Sequence, residues 1–139
     1  MKVAWAAACL TLFSAGIAEC EEATATAEAE ALLAPYRPEI LATAQLMYSI
    51  GACERHIKKA TVDWYIREYM AGSPPKGLEG QWREQTQAVY SRLYVEGRGD
   101  ALKLDLDATQ CQRVLDAGVA DLIKATASRK AAQGSVSQR

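Results

Sequence analysis

Along the chain the apolar positions form one nearly unbroken run and then a series of stripes with helical spacing. Val3 to Phe13 is almost continuously apolar behind Lys2, and Ser14, Ala15, Gly16, Ile17 and Ala18 follow it. A short apolar stretch behind a basic residue, closing on small residues, has the layout of a secretory signal peptide, so residues 1–18 are expected to be cleaved. The run is too short to cross a bilayer uncut, and no later stretch approaches the roughly 20 apolar residues that a spanning helix needs. The expected location is therefore secreted or periplasmic, with no membrane span.

Residues 19–34 are dominated by Ala, Glu and Thr and carry no apolar stripe before Leu32 and Leu33, which predicts a leader segment or frayed helix. Residues 128–139 are similarly polar and are expected to be a disordered tail. The folded domain is then residues 35–127. Pro38 and Glu39 suit the first turn of a helix, one because its missing N–H is no loss there, the other because its charge faces the positive helix end. Ile40, Leu46, Met47, Ile50, Cys53 and Ile57 recur at three- and four-residue spacing and predict an amphipathic helix to about Lys59.

Val62, Tyr65, Ile66, Tyr69 and Met70 form a second stripe, rotated by roughly 100° from the first at 3.6 residues per turn. One straight helix cannot bury both, so a break or kink is expected near residue 60, with Thr61 and Asp63 as its cap. Residues 38–70 are accordingly either one kinked helix or two. Gly72, Ser73, Pro74, Pro75 and Gly77 predict a loop. A third helix follows with Leu78, Trp82, Thr86, Val89 and Leu93 on one face, ending at Gly97 and Gly99. Asp107 and Gln110 have the spacing of a capping box for a last helix whose stripe is Cys111, Leu115, Gly118 and Leu122. No segment alternates as a half-buried strand does. The expected fold is all-α, a small four-helix bundle-like domain.

Cysteine placement adds a cross-link to that picture. Cys53 and Cys111 sit within the apolar stripes of the first and last helices, so both point into one core, and an exported chain meets an oxidising compartment. A Cys53–Cys111 disulfide is predicted, contributing roughly 4 kcal/mol in the chain-entropy description. Cys20 is left odd, as a free thiol, a lipidated residue or the link of a disulfide-bonded dimer. Glu19 beside it departs from the small residues that precede an acylated cysteine.

Lys and Arg number 16 against 17 Asp and Glu. So balanced a charge lacks the basic excess with which proteins neutralise phosphates, and no nucleic-acid partner is expected. With one histidine, no CxxC and no Gly-rich phosphate loop, the sequence points to no catalytic residue, metal or cofactor, and the expectation is a protein that is not an enzyme.

One local string bears on that point. Cys53, Glu54, Arg55 and His56 place a thiol and an imidazole three residues apart on a helix, the minimum for a cysteine nucleophile. The string resembles the active-site helix of bacterial phospholipases A2, in which a cysteine comes three residues before the catalytic histidine. That resemblance spans about six residues and implies a base role for His56. Ile57 stands where the family has a calcium-binding aspartate, and no Gly-rich calcium loop precedes it. Apart from the resemblance, His56 lies in the basic run Arg55, His56, Lys58 and Lys59 near a helix end, where it is a candidate pH sensor or contact for an anion.

Aromatic residues supply the binding hypothesis. Tyr65, Tyr69 and Trp82 fall on apolar stripes and read as core. Trp64 projects opposite its stripe beside Arg67 and Glu68, as an interface anchor would. Tyr90 and Tyr94 flank the third helix's stripe and extend the candidate partner-binding set to Trp64, Arg67, Tyr90 and Tyr94. Arg98, Gly99 and Asp100 spell an adhesion tripeptide, which three residues do often by chance. The leading expectation is a small exported helical protein that binds another exported or envelope protein, as an accessory, inhibitor or immunity-type factor. A periplasmic stress chaperone is the alternative, since the acid-activated chaperones are similar in outline: small, helical and held by one inter-helix disulfide. A hydrolase using His56 comes third.

Overall fold

The computed structural model describes residues 27–136; residues 1–18, expected to be a signal peptide, Cys20 and the last three residues lie outside them. The chain divides into two units between Ala34 and Pro35. In the first, residues 27–33 are helical. The second carries four helices, α1 (Arg37–Cys53), α2 (Lys59–Ala71), α3 (Glu79–Leu104) and α4 (Ala108–Val136), with no strand among the described residues.

The sequence dictates that α1 is central. Nearly every turn of it carries small or aliphatic residues, and Ala42, Thr43, Ala44, Leu46, Met47, Ile50, Gly51, Ala52 and Cys53 are all buried. It packs along both α3 and α4, while α2 touches α1 and α3 more lightly. Leu46, Met47 and Ile50 from α1, Tyr90 from α3, Cys111 and Leu115 from α4 and Val62 from α2 make the core. The predicted Cys53–Cys111 disulfide is present and joins the end of α1 to the first turn of α4, with Cα atoms 5.5 Å apart.

The predicted break near residue 60 falls slightly earlier and separates two helices. After Cys53 the chain makes one 3-10 turn, Glu54–His56, and Ile57 and Lys58 are extended before α2 begins. Thr61 and Asp63 are therefore inside α2 and do not cap it. Asp63 instead accepts from Lys59 Nζ one turn back. The expected capping box at α4 is formed in both directions: Gln110 N–H donates to Asp107 Oδ1, and Asp107 N–H donates to Gln110 Oε1, each at 2.8 Å.

Gly97 and Gly99 do not end the third helix, which runs on to Leu104. Gly97 lies in its interior because α1 passes too closely for a side chain. A Cβ there would stand 2.1 Å from the Tyr48 carbonyl oxygen, and a Cβ on Gly51 of α1 would stand 2.1 Å from the carbonyl oxygen of Tyr94. The two glycines form a reciprocal seam in which the backbones touch. The true terminator is Asp105, in the left-handed region at φ 44°. Arg98, Gly99 and Asp100 are consequently helical. Asp100 is engaged by Tyr48 and Lys103, and Arg98 pairs with Glu54.

The polar segment expected to be a disordered tail is helical through Val136. Arg129 explains why. Its side chain is 9% exposed and pairs with Glu39, equally buried in the first turn of α1, while its guanidinium lies 4.2 Å over the ring of Tyr36. One buried ion pair with a cation–π contact anchors a helix end whose sequence carries no apolar stripe.

Candidate functional site

The anchoring of α4 builds one wall of a cleft. Tyr36 presents its face to Arg129 and meets Trp82 edge-on, with ring centroids 5.6 Å apart. Trp82, Tyr36, Arg129 and Glu39 thus form a chain of contacts from α3 across to α4 and α1. Beside it opens a cleft of about 450 Å³. Tyr69, Gly72 and Ser73 close its second side from the end of α2, and Val119, Leu122 and Ile123 of α4 supply its apolar floor. Glu68 and Lys130 bring opposite charges to the lining.

Trp82, read as core, is indeed 4% exposed, but its Nε1 has no hydrogen-bond partner, alone among the buried side-chain polar atoms described. Gly72 lies against it at φ 59°, and a Cβ on Gly72 would come within 2.9 Å of that nitrogen. Glycine is required there twice, by the backbone conformation and by the indole.

Of the candidate partner-binding residues, Trp64 is 46% exposed on α2, and Arg67 is exposed three residues further on. Trp64 packs edge-on against both Tyr65 and Tyr69, at 5.2 and 6.0 Å, and those two tyrosines stack at 5.8 Å. The three rings form one half-buried aromatic cluster, so Tyr65 and Tyr69 are surface as much as core. Burial pushes the Tyr69 hydroxyl up, and Tyr65 and Glu68 add to that.

Tyr90 does not belong to the surface. It is 1% exposed at the centre of the core, and burial raises its hydroxyl to about 12 against a smaller opposing effect of its hydrogen bond with Thr43. The buried face of α3 is Trp82, Thr86, Tyr90, Gly97 and Ala101, with Val89 and Leu93 at its margin. The small Gly97 and Ala101 swing that face toward Tyr90. Tyr94 is partly buried, its hydroxyl raised by desolvation and by Glu54, with Arg98 5.9 Å from its ring.

His56 is exposed on the 3-10 turn after α1. Its intended neighbour Cys53 is consumed by the disulfide, so no thiol nucleophile exists there. Arg55 of the same run is tied down, donating to the Ala101 carbonyl at 2.9 Å. The described residues contain no grouping of His, Cys, Asp and Glu that holds a metal, and no helix long and apolar enough to cross a membrane.

Sequence reasoning missed Tyr36, Glu39 and Arg129 as a unit. Glu39 and Arg129 are 90 positions apart, and each alone reads as an ordinary helix charge. Comparison with family models, with curated proteins and with solved structures finds no match to this chain.

Proposed function

We propose that the protein acts by binding another exported protein through the outer face of α2. The observation that carries this reading is the Trp64 cluster: a large ring 46% exposed to solvent yet held on two sides by Tyr65 and Tyr69. An aromatic side chain already fixed before contact loses little rotamer freedom on binding, and such residues are the usual anchors of an interface. Arg67, exposed on the same helix, supplies a polar contact beside the anchor. The charge balance of the chain favours recognition by shape and apolar contact over electrostatic capture.

The test is site-specific photocrosslinking in the source cells. A photoreactive residue at Arg67 is expected to give one discrete protein adduct, absent when the same residue replaces the exposed Gln112 on α4, and lost when Trp64→Ala is added. The Trp64→Ala change is expected to cost more than about 1 kcal/mol of binding, roughly fivefold or more in affinity. Equal adducts at both positions, or an adduct indifferent to Trp64, overturns the assignment.

A further inference from the structure

We infer that the cleft between α2 and α4 is a binding site for one small, uncharged, amphipathic molecule, an apolar body carrying a carbonyl-type acceptor that takes the Trp82 Nε1–H. This does not depend on the protein partner proposed for α2, although Tyr69 belongs to both features.

Three observations converge on that chemistry. The first is the orphan donor. Buried N–H groups are almost always paired, because leaving one unpaired forfeits its hydration without return. Trp82 Nε1 is the exception among the described residues, and its ring lines a cleft. The Gly72 backbone lies against the indole with no side chain between them, since a Cβ at that position would stand 2.9 Å from the nitrogen, so an acceptor reaches the N–H by displacing a glycine backbone alone. The second is size and lining. About 450 Å³ falls within the roughly 300–1,000 Å³ typical of small-molecule sites, and Tyr69, Leu122 and Ile123 offer an apolar bed beside the Trp82 ring. A donor on a residue 4% exposed is reached by a slender ligand more readily than by the backbone of a folded partner. The third is charge. Glu39 is neutralised by Arg129, and Glu68 is balanced across the lining by Lys130, so the cleft favours neither an anion nor a cation.

The probe is prodan, a neutral naphthalene bearing one propionyl carbonyl, titrated into the full exported protein with its disulfide intact. Saturable one-to-one binding with blue-shifted dye emission is expected. Trp82→Phe, which keeps a ring and removes the N–H, should weaken binding about tenfold or more. Ile123→Arg should abolish it; Ile123 is 63% exposed, so this change leaves the fold alone and decides the matter if Trp82→Phe fails to fold. Non-saturable partitioning overturns the inference and leaves Nε1 to an ordered water. So does binding indifferent to both changes, or equal affinity for an anionic dye of the same shape.

Discussion

Two glycines of α3, separated by one residue, should respond to alanine with opposite signs. At Gly97 an added Cβ meets the Tyr48 carbonyl oxygen at 2.1 Å and the Ala52 nitrogen at 2.9 Å, whereas at Gly99 it meets nothing within 4 Å. Both obstructing atoms are backbone, so no rotamer change relieves them; α1 and α3 must part by close to 1 Å. That separation loosens the seam beside Met47 and Ile50, both fully buried. Overpacking of this kind costs about 1–3 kcal/mol, and the rigidity of the obstruction argues for the upper end. Alanine returns about 1 kcal/mol of helix propensity at either site. Gly97→Ala is therefore expected to lose about 2 kcal/mol and Gly99→Ala to gain about 0.5–1 kcal/mol. For a domain of about 100 residues these are a fall of roughly 10 °C and a rise of a few degrees in Tm. Urea unfolding with the disulfide intact reads the difference as a shift of midpoint at constant slope. Gly51→Ala should match Gly97→Ala, and the double variant should cost less than the sum, because one separation relieves both clashes. A Gly97→Ala protein as stable as wild type, or equal signs at 97 and 99, would refute the seam.

Replacing both Cys53 and Cys111 by serine should lower stability by about 4 kcal/mol, since the bond closes a loop with a sequence separation of 58, and guanidinium or urea midpoints measure it. Arg129→Met should cost about 3–5 kcal/mol by leaving Glu39 buried without its partner, while Glu39→Leu combined with Arg129→Met should recover most of that loss. Tyr90 has a hydroxyl raised to about 12 in the fold, so the native state resists its ionisation. Its contribution is intact below pH 10 and disappears as pH climbs through 12, a loss of about 2–3 kcal/mol. Urea midpoints between pH 9 and 12 should fall accordingly, and less steeply in Tyr90→Phe.

What the sequence made legible follows from how local each signal is. The α1 stripe, the Asp107–Gln110 box and the convergence of Cys53 with Cys111 are set by residues within a few turns of one another or by a face that repeats, and the structure shows each. Gly97 misled because a glycine near a helix end and a glycine under a crossing backbone look alike until the neighbour is placed. Tyr90 reads as a flank because the pattern centres on Val89, whereas the seam at Gly97 and Ala101 turns the buried face by one residue. The end of α4 was invisible for a different reason. A single pair joining Glu39 to Arg129 holds it, and no periodicity announces one contact across 90 positions. Trp64 stood out because its neighbours are charged, but the lateral packing of Tyr65 and Tyr69 against it required the helix in three dimensions.

The light attachment of α2 carries a consequence for motion. Val62 is its one buried residue, and the Gly72 to Gly77 loop follows it, whereas α1 is enclosed and covalently tied at its end. Regions with few buried contacts open by local unfolding at a fraction of the global free energy. Amide hydrogens of α2 should therefore exchange by a sub-global route, while those around Leu46 to Ile50 wait for the whole domain to unfold. Because the aromatic cluster and one wall of the cleft both reside on α2, a molecule that engages either would slow that exchange, and the protein's two candidate surfaces would be coupled through the stability of a single helix.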